Sequence, residues 1–264
     1  MRTARTGSAS HNDGMDSTTI RQQIIDGLIS AWQSGQRWRP AAFEPALADE
    51  DAYAIQAEVA ARMGWLPQGQ RAWKVGGYPR PAAAALPQLL ASPAQWHPLF
   101  GDAVLVEAEL ALRLERRPAS AAEVPSCVGS LCVAIEIVDT RIEGGLQAPA
   151  GWKLADQSVN ASLVCGDWMD YRPYAGFAAA DWSGLGCRMQ VNGELARQAR
   201  GTHPNQDPLC ALPWLFDHAL RHGDGLRAGD IVTTGAWIAL PASPGERVEV
   251  EFDGLPPAVV RIEG

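Results

Sequence analysis

The sequence predicts an α+β protein in which a short helical region precedes a larger β-rich one. Apolar residues recur at helical spacing between residues 17 and 63. From Pro67 onward they fall into short runs punctuated by Gly and Pro, with a few helices inserted among them. A chain of 264 residues can bury either one large core or this two-part arrangement, and the change of period favours the second. The expected organisation is a disordered lead over 1–16, a helical region over 17–66 and a β-rich catalytic domain over 67–264.

The lead is rich in Ser, Thr, Gly and Arg and shows no period, so Met15 is a candidate native start. Ser17 or Thr18 can cap a first helix carrying Ile20, Ile24, Ile25, Leu28, Ile29 and Trp32. A second helix is expected near Asp49, with Ala52, Ile55, Val59 and Met63 on one face and an end before Gly64. Strands are expected at 71–75, 104–115, 131–138, 161–164, 186–191, 231–235, 247–252 and 259–262. Between them Leu209, Leu212, Leu215, Phe216, Ala219 and Leu220 predict a helix entered through Pro208 and ended around Gly223. The alanine run at 82–85 is the one low-complexity feature.

Composition narrows the function classes. The formal net charge of −8 comes with no long basic run, which argues against nucleic acid or an anionic membrane as the main partner and leaves room for a local cationic pocket. No stretch of eighteen apolar residues exists and no apolar segment follows the first arginines, so neither a membrane span nor a secretory signal is expected. Five cysteines without repeated short spacing suit small buried hydrophobes in a reducing compartment, and the expected location is cytoplasmic.

The chemistry begins at Glu107 and Glu109, two residues apart in an otherwise apolar strand, with Glu136 inside a second one. Residues at i and i+2 of a strand point to one face, roughly 6 to 7 Å apart at Cα, so the first two can converge on one object. A hard divalent cation is that object on chemical grounds. Mg²⁺ takes oxygen ligands octahedrally, and three carboxylates leave positions for a bidentate small molecule. Alternating Glu and apolar residues also describe an antiparallel strand with one wet face. Glu136 fits that alternative poorly, because Val133, Ile135, Ile137 and Val138 surround it and a buried lone carboxylate is costly.

Five segments occur in an order that resembles the 2-keto-4-pentenoate hydratase and 4-oxalocrotonate decarboxylase family of the fumarylacetoacetate hydrolase superfamily. They are Trp73-Lys74-Val75-Gly76, Glu107-Ala108-Glu109-Leu110-Ala111, the stretch from Ala134 to Ile142, Asn160-Ala161-Ser162, and Gly229-Asp230-Ile231-Val232-Thr233-Thr234-Gly235. The likeness runs from about residue 50 to the C-terminus, and the ordered set is specific where no single motif is.

The resemblance implies a mixed β-roll with an N-terminal helical region and a Mg²⁺ or Mn²⁺ ion held by Glu107, Glu109 and Glu136. The ion would chelate a small 2-oxo or 2-hydroxy acid and stabilise its enolate. Lys74, in the Lys-Val-Gly motif, is the expected proton-transfer residue, its ammonium form disfavoured by a neighbouring cation and by desolvation; a strand-edge lysine is the plain alternative. Lys153 is a second catalytic candidate because C–C hydrolase relatives place a lysine after the last acidic ligand; a solvated lysine is the equal alternative. Asp156 and Asn160 match a pocket-lining segment, with Asp156 expected to orient water or Lys74 and a turn-forming pair as the alternative. Thr234 and Gly235 match a substrate-carboxylate contact, where a small residue lets the backbone approach; a plain strand end has the same look. Asp139 and Arg141 are expected to form an ion pair bracing the site.

Two departures bear on the reaction. The chain from Val75 to Gly101 has no Asp or Glu where hydratases of the family often carry an acid, and His97 is the sole imidazole there, substitute or surface turn. The segment after Gly76 also differs from the usual continuation. His218 and His222 have helical ligand spacing but lack a third ligand, which favours a solvated helix end, and the ten tryptophans are scattered as packing residues. The expected function is a Mg²⁺-dependent hydratase of a 2-hydroxy-2,4-dienoate. A decarboxylase, a C–C hydrolase or a silent subunit in complex with a pathway enzyme stand as alternatives. The likeness and an expected exposed apolar face on the first helix point to a homo-oligomer.

Overall fold

The computed structural model describes residues 17–65, 71–76 and 82–264. The expected lead over 1–16, the candidate start at Met15, the boundary between 66 and 67 and residues 77–81 of the departing segment lie outside the described residues.

Helical period gives α1 (Ser17–Ser34) and α2 (Asp49–Met63) where the sequence places them. Gly64 ends α2 with φ 70°, its N–H capping the carbonyls of Ala60 and Ala61. Ile24, Ile25 and Leu28 of α1 and Ala52, Ile55 and Val59 of α2 form one apolar cluster with Trp152 and Leu154 of a third helix, α3 (Ala150–Ala155). The apolar face of α1 is therefore covered within the chain, which corrects its expected exposure and removes it as a surface for a second copy.

Among the described residues fourteen strands follow: β1 (Ala72–Gly76), β2 (Ala82–Ala85), β3 (Leu89–Ala91), β4 (Ala94–Trp96), β5 (Val104–Leu114), β6 (Val128–Val138), β7 (Asn160–Cys165), β8 (Met169–Asp170), β9 (Gly186–Val191), β10 (Glu194–Arg200), β11 (Ile231–Thr233), β12 (Ile238–Ala242), β13 (Arg247–Phe252) and β14 (Ala258–Ile262). The larger sheet runs β2-β1-β11-β5-β6-β7-β3, with β12 also on β5 and β8 on β6; the smaller runs β10-β9-β13-β14-β4. The two sheets bury a common core between them, in which Leu110, Leu112, Val133 and Ile135 meet Met189, Val248, Val250 and Val260.

Six strands escape the sequence reading. The alanine run becomes β2 because β1 pairs with it, Lys74 opposite Ala84, and alanine's own preference would not select a strand. β10 follows Asn192 and Gly193, both at positive φ, a two-residue hairpin signal that was there to read. Pro241 disguises β12. The last long helix, α5 (Leu212–Arg221, after the short α4 at Ala179–Ser183), starts later than Leu209 because Pro213 is tolerated only in a first turn.

Candidate metal centre and active site

β5 and β6 run antiparallel with Glu107 opposite Glu136 and Glu109 opposite Ala134. The three glutamates thus share a face with the small residues Ala111, Cys132 and Ala134, while Leu110, Leu112, Val133, Ile135 and Ile137 fill the core behind. Glu136 is 0% exposed and Glu109 2%, so this is no wet strand face. One oxygen of each carboxylate lies within 4.8 Å of the others. Like charges directly opposite are unfavourable. Burial, then Glu136, pushes the Glu107 carboxyl up to about 7; burial, then Glu136 and Glu107, raises Glu109 well above the carboxylate range. Glu136 Oε2 is buried without a hydrogen-bond partner. An oxygen-only donor set with an orphaned buried carboxylate oxygen fits a hard cation.

Lys74 reaches the cluster through β11. It pairs with Thr233, which pairs with Ala111, in the row next to Glu109. Its Nζ donates to Glu136 Oε1 and, at 3.2 Å, to the Ser158 carbonyl. Burial pulls its pKa down, but Glu136, Glu107 and Glu109 outweigh burial and hold it above the ordinary lysine value. Without a cation the facing carboxylates decide the sign, whereas the expected disfavouring of the ammonium belongs to the metal-bound site.

A cavity of about 290 Å³ opens here, lined by Lys74, Glu107, Glu109, Ser158, Thr233 and Gly235, with Val75, Gly76, Pro204 and Ala236 completing the wall. Gly235 donates its N–H to Glu109 Oε2 at 3.2 Å. Its φ of 130° and the Pro204 ring, 2.7 Å from where a Cβ would stand, leave only glycine at this position. Thr234 is buried beside it. Asn160 opposite Val138 is fully buried, with both side-chain polar atoms unpartnered, and is not among the residues lining the cavity.

Four expectations change. Asp156 is not a partner of Lys74: it is 1% exposed and its carboxylate accepts from Arg141 Nε at 2.6 Å, from the Arg141 backbone N–H at 3.0 Å and from Thr140 Oγ1 at 2.7 Å, so both oxygens are engaged in a structural brace. The expected Asp139–Arg141 pair is replaced by two others, Arg141 with Asp156 and Arg37 with Asp139 at 2.9 Å. Lys153 lies half-buried in α3, which packs against α2, and lines no part of the cavity. His97 is exposed. His218 is buried, stacked on Trp214 and edge-on to Tyr53, with burial lowering its pKa to about 4, so the solvated helix end is corrected to an aromatic packing position.

Sequence reasoning missed Ser158 and His203. Gln157, Ser158 and Val159 all have φ between 51° and 57°, a left-handed turn of three non-glycine residues that no local signal announces. His203, 3% exposed, bonds the Thr234 carbonyl at 3.0 Å. No periodicity marks it.

The family model described as fumarylacetoacetate (FAA) hydrolase C-terminal matches residues 78–263. The chain belongs to the fumarylacetoacetate hydrolase family. It is 30% identical over 257 residues to 2-keto-4-pentenoate hydratase 1 of Dechloromonas aromatica (strain RCB), covering 86% of this chain and 91% of that one. The structure of 4-oxalocrotonate decarboxylase from Pseudomonas putida G7 with magnesium and adipate superimposes with a TM-score of 0.78 at 18% identity, over 94% of this chain and 99% of the other. Fumarylpyruvate hydrolase from Pseudomonas aeruginosa, with Mn²⁺ and pyruvate, gives 0.52 at 17% identity over 73% and 89%. The family's mixed β-roll with added helices is the fold seen here, and the chain is an enzyme of this family. No helix among the described residues is long and apolar enough to cross a membrane.

Proposed function

We propose that this member of the fumarylacetoacetate hydrolase family is a Mg²⁺- or Mn²⁺-dependent hydratase that adds water to a 2-hydroxy-2,4-dienoate of the 2-keto-4-pentenoate type, giving a 4-hydroxy-2-oxo acid. The cavity lining carries this reading. Lys74 is the sole cation among the described lining residues, and Val75, Pro204 and Ala236 suit a short apolar chain. A decarboxylase substrate brings a second carboxylate, for which the described lining offers no further positive group.

Glu107, Glu109 and Glu136 would hold the cation, consistent with the magnesium and Mn²⁺ complexes of the two structural neighbours. When bound, it supplies Lewis-acid polarisation of the acid's 2-oxygen. Lys74, hydrogen-bonded to Glu136 and Ser158, is held where it can move a proton to and from the carbon chain. Gly235 lets the main chain approach the substrate carboxylate, the buried Thr234 supports it from behind the cavity lining, and Asn160, whose buried amide lacks partners, stands outside that lining. Asp156 acts through Arg141 and Thr140, holding the turn that carries Ser158. The enzyme works as a homo-oligomer in this reading; light scattering from a monomer removes that part.

The test follows the ultraviolet absorbance of freshly generated 2-hydroxypenta-2,4-dienoate with the purified chain, in Mg²⁺ and in EDTA. Metal-dependent loss of the dienol with formation of 4-hydroxy-2-oxopentanoate supports the hydratase. CO₂ release from a dicarboxylic analogue without hydration of the dienol replaces it with a decarboxylase, and turnover only on adding a pathway enzyme makes the chain a dependent subunit.

A further inference from the structure

One peptide links the metal centre to a residue outside it. The carbonyl of Thr234 accepts a hydrogen bond from His203 Nε2 at 3.0 Å, and the N–H of Gly235, the other end of the same trans peptide, points to Glu109 Oε2 at 3.2 Å. In a trans peptide the C=O and N–H are antiparallel, so a bond that fixes the carbonyl also fixes where the N–H aims. Gly235, at φ 130°, has the backbone freedom to let this peptide rotate. Something must hold it.

The holding is specific. Asn205 donates its backbone N–H to His203 Nδ1 at 3.3 Å, so Nδ1 is the acceptor and the ring proton is on Nε2, facing Thr234. Burial lowers the His203 pKa to about 4, which keeps this neutral tautomer at neutral pH. The flanking residues clamp the same turn: Thr202 Oγ1 donates to the Trp237 carbonyl at 2.7 Å, and Pro204 packs on Gly235.

We propose that His203 is a positioning residue for the metal centre, locking the Thr234–Gly235 peptide so that its N–H occupies Glu109 Oε2 and presents Oε1 to the cation. The inference rests on the reading of Glu107, Glu109 and Glu136 as a metal site. Partners one step removed from metal ligands commonly change affinity by about 10–100-fold when lost.

The experiment measures Mn²⁺ binding by the full chain, by calorimetry and by the paramagnetic signal of free Mn²⁺, with melting temperatures recorded alongside. His203→Gln and His203→Met have similar size and differ in the donor. The Met variant is expected to bind Mn²⁺ about tenfold more weakly than the parent, and the Gln variant to stay within about threefold. Equal binding by the parent and a folded Met variant, with only the melting temperature lowered, overturns the proposal and leaves the metal site standing. A parent chain that binds no Mn²⁺ overturns both. Where the Met variant does not fold, Gly235→Ala turns the same peptide through its clash with Pro204 while keeping His203. Its Mn²⁺ affinity is expected to fall about tenfold or more, and parent-like affinity there overturns the proposal.

Discussion

Two buried ionic clusters lie close in sequence and are satisfied to opposite degrees. Around Arg141, Nε reaches Asp156, Nη1 the Asn160 carbonyl and Nη2 the Asp156 carbonyl, each at 2.6 Å, and the guanidinium lies over Trp32 at 5.0 Å. Around Glu136, three carboxylates face one another, one ammonium serves them, and Oε2 has no partner. A buried charge is tolerated when its hydrogen bonds are complete. The first cluster is complete and holds the loop over 139–160. The second is left incomplete, so a ligand can complete it. Satisfaction, more than charge or burial, separates the brace from the site.

The contrast is broken most sharply at Glu109. Glu109→Gln is expected to lower turnover about 10³-fold or more with the circular dichroism spectrum unchanged; a fully active variant that needs no metal removes the site. Arg141→Met should do the reverse, costing about 3–5 kcal/mol in urea unfolding by leaving Asp156 buried and unpaired. A stable Arg141→Met protein would make the brace dispensable. Lys74→Met is expected to cut turnover at least about 100-fold while Mn²⁺ binding, read by calorimetry, persists.

A smaller effect is read with pH. The folded-state pKa of Glu107, about 7, lies above its ordinary 4.5, so between these values the metal-free folded state binds more protons than the unfolded one. Its contribution therefore favours the fold at low pH and is lost as pH rises toward 7. Metal affinity runs the other way, rising up to about tenfold per unit below pH 7 because the cation displaces a proton. Thermal melts at pH 5 and 8, with and without Mg²⁺, should show opposite trends, and Glu107→Gln should flatten the metal-free one. The smallest effect belongs to His97→Ala, expected to leave turnover within about twofold because the side chain is exposed; a large loss would place it in the reaction.

The incomplete cluster was the more legible of the two. Glu107, Glu109 and Glu136 stand out because a carboxylate in an apolar strand contradicts its neighbours, and the period of two puts the first pair on one face. Small residues beside each acid and large ones on the alternate positions, Ala111, Cys132 and Ala134 against Leu110, Leu112, Val133 and Ile135, mark the open and packed faces. The complete cluster was misread. Asp139, Arg141 and Asp156 are close enough in sequence to pair in several ways, and only the path of the 139–160 loop selects Arg141 with Asp156 and gives Asp139 to Arg37, over a hundred residues upstream.

By itself the sequence determined the two amphipathic helices, most long strands and the acidic triad, because each depends on a local period or a local violation of one. Tertiary structure alone decided which charges neutralise one another, that alanines 82–85 become a strand against β1, that Ser158 is presented by a left-handed turn and that His203 meets Thr234. Those outcomes rest on contacts between distant segments, and a side chain's spacing along the chain carries no record of its partner across the fold.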